Sequence, residues 1–271
     1  MATTHPATTT QDQSPIVTAE NVTAGYPGNI VWQDADFSLD RGEFIAVIGP
    51  NGAGKTTLFR LLLGLQQPIK GTIRIFDKIP NRGNSRIGYV PQRHVFDSDT
   101  NVECIELVHL AYCGQRWGFH LSAKSERERA LDALKAVGAA ELAPKPLNAL
   151  SGGELQRIFL AEALVSDPDI LLLDEPLSNL DIRRADELVQ LVNSVVRSRN
   201  VTALLVAHDI NPLLPYLDQV VYVANGKVAT GAAKEVLTTE GLSALYGTQV
   251  EVIHDSRGNV AIIGIEPSRG E

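Results

Sequence analysis

The chain has 271 residues, 44 % of them hydrophobic and 21 % charged, enough apolar material to bury the core of one large domain or two small ones. Its formal net charge of −8 excludes a nucleic-acid-coating surface and a polybasic membrane anchor, since both depend on Lys and Arg clusters. No apolar run reaches the roughly 18 residues of a membrane-spanning helix, and the start MATTHPATTTQDQS lacks the basic patch and apolar stretch of a signal peptide, so a cytosolic chain is expected.

In chain order, the Thr-rich residues 1–14 are predicted to be a disordered tail. The β-rich runs PIVTAENVTAGY and ADFSLDRGEFIAVIG then lead through GPNGAGKTT into the helical LFRLLLGL, giving strand, loop and helix in succession. Strand character returns in GTIRIFDKIP and SRIGYVP. From Asn101 to Ser166 the period changes: NVECIELVHLAYC, SERERALDALKAVG and GGELQRIFLAEALV all carry helical spacing, with Pro144 and Pro146 punctuating the last link. This reads as a helical insert in an α/β core. After it, DILLLDEP has the continuous apolar run of a buried parallel strand, RADELVQLVNSVVRSR follows as a helix, and VTALLVAHD is the next strand. Residues 219–230 and 249–265 read as two hairpins, the second turning at DSRGN. Cys104 and Cys113 share one apolar segment at a spacing that fits neither a zinc knuckle nor a redox pair, and they read as two small buried or half-buried thiols.

The chemistry begins at Gly49–Thr57, GPNGAGKTT, which fits the phosphate-loop pattern in its required setting between a strand and a helix. The backbone of Asn51, Gly52, Ala53 and Gly54 can converge N–H groups on phosphate oxygens, and the helix N-terminus adds its positive dipole end. Lys55 can reach the β- and γ-phosphates, the Thr56 hydroxyl can ligate Mg²⁺, and Thr57 completes the motif. Phosphoryl transfer also needs a second metal-orienting group and a group that positions water. In ILLLDE the apolar residues Ile170 to Leu173 bury a strand, so that Asp174 emerges at its carboxyl end to hold Mg²⁺ through a water, and Glu175 follows as the general base.

A third motif, LSGGELQR (Leu150–Arg157), opens a helix with a serine and two glycines. Ser151 reads as a helix N-cap, and the uncrowded amides of Gly152 and Gly153 suit an anion. Together, Gly49–Thr57, Leu150–Glu154 and Ile170–Glu175 resemble the nucleotide-binding subunits of ATP-binding cassette (ABC) transporters. The resemblance implies a phosphate-loop ATPase core with an antiparallel β subdomain and an inserted α-helical subdomain. It places the cassette at residues 15–245, with a nucleotide-binding core at 15–91 and 167–245 and the helical part at 92–166, before a short C-terminal β-hairpin extension at 246–271. It also implies that Ser151, Gly152, Gly153 and Glu154 bind the γ-phosphate of ATP held by another copy, in a head-to-tail homodimer enclosing two ATP-Mg²⁺.

Further residues take roles from the same resemblance. Tyr26 corresponds to the aromatic that stacks on adenine, and Gln92 to the glutamine that touches Mg²⁺ or the attacking water and links core to insert. His208 corresponds to the switch histidine that contacts the γ-phosphate and helps hold Glu175. Asp181 matches the aspartate that communicates across the dimer, although Asn179 stands where the family usually has alanine. With one nucleotide domain and no span, the chain looks like the separate ATPase subunit of a bacterial importer. Such a subunit docks on integral-membrane permeases, at the inner face of the membrane, and acts with an extracytoplasmic substrate-binding protein indirectly; no nucleic-acid partner is expected. HVFDSDTNVECIELVHL is the candidate docking wall. GPNGAGKTTL, YVPQRH, the Glu of LSGGE and LSALYGTQVEVIH resemble the ATPase subunits of zinc and manganese importers; iron-chelate or haem importers, and a non-transport ATP-dependent switch, are the alternatives. His94, His109, His120 and Cys113 match no ligand spacing and are not read as a metal site.

Overall fold

The computed structural model describes residues 14–26, 28–92, 101–114, 123–178, 180–255 and 258–264. The tail up to Gln13, residues 94–100 of the docking segment, His120, Asn179 and the Ser256–Arg257 tip of DSRGN lie outside the described residues.

Strands β1 (Val17–Tyr26), β2 (Asn29–Leu39) and β3 (Phe44–Ile48) precede helix α1 (Lys55–Leu62), and β4 (Lys70–Ile75) and β5 (Ile87–Val90) follow it. A helical stretch comes next: α2 (Cys104–Gly114), α3 (Ala123–Ala136) and α4 (Gly152–Leu164). The chain then alternates through β6 (Ile170–Asp174), α5 (Ile182–Arg199) and β7 (Thr202–Val206) to the hairpin β8 (Gln219–Ala224) and β9 (Lys227–Gly231). Two short helices, α6 (Ala233–Val236) and α7 (Thr239–Tyr246), lead to the hairpin β10 (Val250–His254) and β11 (Val260–Gly264).

Six strands form the central sheet in the order β5-β6-β7-β3-β8-β9, parallel except for β9. FIAVI, ILLLD and TALLV are buried along their whole length, as parallel strands covered on both faces must be. Their alternate residues divide between two cores. Phe44, Ala46, Leu171, Leu173, Ala203 and Leu205 pack with α2, α3, α4 and α5 on one face, while Ile45, Val47, Leu172, Leu204 and Val206 pack with α1 and the antiparallel sheet β2-β1-β4 on the other.

The β-rich run ADFSLDRGEFIAVIG is two strands in two different sheets. The turn between them is fixed at Gly42, whose φ of 71° suits glycine and whose N–H donates to Thr202 Oγ1 at 2.9 Å. The first of these strands also starts earlier than its apolar pattern suggests, at Asn29, with Asp34 at φ 51° beside an irregularity in its pairing with β1.

Candidate functional site

Parallel strands align their carboxyl ends, so the loops after β3, β5, β6 and β7 gather at one edge of the central sheet, where open α/β sheets hold ligands. These loops carry the phosphate-loop motif, Gln92, Asp174 with Glu175, and His208. One feature of the order is not visible in the motifs. β7 lies between β3 and β6, so Asp174 sits one strand removed from the loop that follows β3.

The Gly49–Thr57 loop is shaped by close backbone approaches. Gly49 (φ 145°) has no space for a side chain, because a Cβ would lie 1.9 Å from the Val223 carbonyl oxygen, and Gly54 (φ 105°) would place one 2.3 Å from Val31 Cγ1. Gly54 is the N-cap of α1 and supplies no side-chain acceptor, so the first amides of that helix, at Lys55, Thr56 and Thr57, are left without an intrahelical or capping partner. An uncapped helix start beneath a glycine turn is an anion cradle. Lys55 is buried, and its Nζ folds back to donate to the carbonyls of Gly49 at 2.7 Å and Pro50 at 3.0 Å. Burial lowers its pKa, against the opposing pull of the Glu175 and Asp174 charges. Thr56 and Asn51 are exposed beside it.

Across the edge, Asp174 is 5 % exposed, and its pKa is raised first by burial and then by the charge of Glu175. Glu175 has φ 52°, a left-handed backbone that a non-glycine residue adopts only where its surroundings enforce it. Its Oε2 lies 2.5 Å from Gln92 Nε2, which donates to it, and 3.0 Å from His208 Nε2. Three segments far apart in sequence thus meet on one carboxylate oxygen. Tyr26 is 44 % exposed at the end of β1, and its hydroxyl accepts from Arg60 Nη1 of α1.

The structure adds a residue that motif reading missed. Tyr89 on β5 donates its hydroxyl to Asp174 Oδ2 at 3.5 Å, and burial and that carboxylate push its pKa up to about 12, so it stays a donor. No local signal marks it, because the contact crosses from one strand to its neighbour.

LSGGE lies apart from this group. Ser151 and Glu154 form a capping box: Ser151 Oγ accepts from the Glu154 N–H at 3.4 Å, and the Glu154 carboxylate accepts from the Ser151 N–H at 2.8 Å. The Ser151 N–H, then its hydroxyl, hold the Glu154 pKa low. Gly152 has nothing within 4 Å of a would-be Cβ, and Gly153 only Arg184 Cδ at 3.7 Å. Beside them opens a cleft of about 360 Å³ lined by Ser151, Gly153, Arg157, Leu180 and Arg184 among others, and by no residue of the phosphate loop. Asp181 caps α5, its Oδ1 accepting from the Arg184 N–H at 3.0 Å.

The family model described as ABC transporter matches residues 32–178. The zinc transport system ATP-binding protein TroB of Treponema pallidum is 31 % identical over 91 % of this chain and 96 % of its own length. The manganese transport system ATP-binding protein MntB of Bacillus subtilis is 34 % identical over 88 % of this chain and 95 % of its own. Among solved structures, the ATP-binding cassette MJ0796, dimeric in a post-hydrolysis state with ADP and phosphate, superposes with a TM-score of 0.64 at 27 % identity, covering 80 % of this chain and 98 % of that one.

Proposed function

The chain belongs to the ABC transporter family of ATP-hydrolysing subunits, and on that premise we propose that it powers an importer of a divalent metal ion, zinc or manganese, through a separate membrane permease. The cargo reading is supported by the zinc and manganese transport proteins that align over nearly their whole length. Placement on the inner face of the membrane follows from the permease, since no helix among the described residues is long and apolar enough to cross a bilayer. The assignment of the cassette to residues 15–245, with the helical part at 92–166, belongs to the same proposal.

The observation that carries the mechanism is the convergence of Gln92 and His208 on one oxygen of Glu175, at the sheet edge that also bears Lys55. In the reaction the uncapped amides of α1 and the loop glycines cradle the β- and γ-phosphates of ATP. Lys55 exchanges the Gly49 and Pro50 carbonyls for phosphate oxygens, and Tyr26 stacks on the adenine. Thr56, Gln92 and Asp174 present hard oxygen donors that suit Mg²⁺, and a buried carboxylate beside a second one is a group whose charge a divalent cation offsets. The bound ion would neutralise charge on the phosphate oxygens. Because Oε2 of Glu175 already accepts from Gln92 and faces His208, Oε1 is the atom that takes the proton of the attacking water.

Ser151, Gly152, Gly153 and Glu154 complete the site of a second copy. Ser151, Gly153 and Glu154 line a cleft at the start of α4, and Gly152 and Gly153 have no close neighbour that would require glycine there. Ile182, 89 % exposed, and Leu177 line a further apolar hollow beside His208 and Asp181, a surface suited to burial in a head-to-tail dimer. That MJ0796 is dimeric with ADP and phosphate bound supports a dimer here.

The test is Glu175→Gln, which keeps size and hydrogen bonding but removes the base. Hydrolysis is expected to fall about 10²–10⁴-fold with ATP affinity retained, and light scattering should show a dimer that forms only with ATP-Mg²⁺. Hydrolysis at the wild-type rate would remove Glu175 from the mechanism.

A further inference from the structure

Away from the sheet edge, the helical stretch holds a cluster that ATP hydrolysis does not use. His109 and Cys113 stand four residues apart on α2 and so share a face, and Glu126 reaches them from the first turn of α3. Their donor atoms close a triangle: His109 Nε2 to Cys113 Sγ is 3.3 Å, Cys113 Sγ to Glu126 Oε2 is 3.4 Å, and Glu126 Oε2 to His109 Nε2 is 3.4 Å. Sequence spacing set His109 and Cys113 aside as ligands. The third member comes from another helix, which spacing within one segment does not show.

The triangle is close to the size a small tetrahedral cation requires. With metal–nitrogen and metal–oxygen distances of about 2.0–2.2 Å and metal–sulfur of about 2.3 Å, the nitrogen–oxygen edge of a tetrahedron is roughly 3.3–3.6 Å and the edges to sulfur roughly 3.5–3.7 Å, so the 3.4 Å edge between Glu126 and His109 fits and the two edges to Cys113 need to open by only a few tenths of an ångström. Glu126 is 4 % exposed and its Oε2 lies against the His109 ring, so the carboxylate is held at the triangle. The His109 side chain is 25 % exposed, so the cluster is reached by solvent at that residue. The donor set of thiolate, imidazole and carboxylate suits a borderline-soft ion rather than Mg²⁺ or Ca²⁺.

We propose that His109, Cys113 and Glu126 form a binding site for a divalent transition-metal cation of the zinc class, with water as the fourth ligand. On binding, the Cys113 thiol gives its proton to solvent, His109 coordinates as neutral imidazole through Nε2, and Glu126 coordinates as carboxylate; nothing is oxidised or reduced. One dication with one thiolate and one carboxylate is neutral overall, which suits a site with one buried and two half-buried ligands. The ion would tie α2 to α3 across the segment that joins them. The site rests on these three side chains and is independent of the cargo the permease carries.

Full-length protein, stripped with a chelator, would be titrated with Zn²⁺ against a chromophoric competitor and with Co²⁺ for its absorption spectrum. One tight ion per chain is expected, with a sulfur-to-cobalt charge-transfer band, the visible bands of tetrahedral Co²⁺, and a higher Tm with Zn²⁺. His109→Ala and Cys113→Ser should each weaken binding by more than the roughly 10–100-fold that loss of an outer-shell partner costs. Cys104→Ser, whose buried thiol donates to the Lys145 carbonyl instead, should leave binding and spectrum unchanged. Circular dichroism and ATP binding would confirm that the variants fold, and the wild-type cobalt spectrum decides the matter if they do not. The proposal is overturned by absence of tight binding, by a cobalt spectrum without the sulfur band, or by equal Zn²⁺ uptake in the His109→Ala, Cys113→Ser double variant.

Discussion

Glu175 is held in a left-handed backbone conformation that costs on the order of 1–3 kcal/mol at a non-glycine position, while Gln92 and His208 hold its side chain. The strain and the two polar contacts fix where the carboxylate points, which is what a base acting on one water needs. The phosphate loop meets the same demand with glycine. At Gly54 the backbone has φ 105°, and a methyl group would meet Val31 Cγ1 at 2.3 Å and the buried Trp32 ring at 2.8 Å. Gly54→Ala is therefore expected to lose both stability, by more than the roughly 1–3 kcal/mol of backbone strain alone, and ATP affinity. Gly52→Ala, at φ 78° with no atom within 4 Å, should lose only the strain contribution. Urea denaturation without nucleotide and titration with a fluorescent ATP analogue would compare the two, and equal losses would mean that the packing at Gly54 is not what requires glycine.

Among the elements, α4 joins the two roles of the chain. Its start presents the LSGGE motif through the Ser151–Glu154 capping box, and its body packs Ile158, Phe159 and Leu160 into the core beneath α2 and α3. Glu162 in its last turns departs from this pattern, because burial raises its pKa above the ordinary 4.5. Between 4.5 and the raised value the folded chain binds more protons than the unfolded chain, so stability falls as pH rises through that window. The penalty then persists at neutral pH. Glu162→Gln removes the charge, and the variant should be more stable than wild type at pH 7, with the advantage vanishing below pH 4.5. Urea melts on both sides of that pH would check it, and a variant less stable at pH 7 would show that the carboxylate makes a favourable contact that offsets its burial.

At the scale of the whole molecule, each chain carries a phosphate loop at the sheet edge and a signature motif facing a separate cleft. Two copies related by a twofold axis can bring each motif to the other's nucleotide, and an isologous contact of this kind closes without leaving a free surface. ATP hydrolysis per wild-type chain should therefore rise with protein concentration in the range where the dimer forms. Ser151→Ala should flatten that rise while leaving nucleotide binding to the single chain intact. A turnover per chain that is independent of concentration, with light scattering showing monomer throughout, would mean that one copy hydrolyses ATP without the other's signature motif.

The phosphate-loop motif, ILLLDE and LSGGE stand out in the sequence because each is a contiguous stretch. Within such a stretch, backbone torsions and the i, i+4 geometry of one helix turn already bring the functional atoms to one place. The apolar run ILLLD likewise declared a buried parallel strand, and FIAVI and TALLV beside it are buried along their whole length in the same way. Tertiary structure alone decided that ADFSL and GEFIAVI belong to different sheets, that β7 stands between β3 and β6, and that Tyr89 donates to Asp174. It also decided that Glu126 joins His109 and Cys113. The physical reason is common to all four: each depends on which apolar faces pack together, and packing sets contacts between segments that no spacing along the chain encodes.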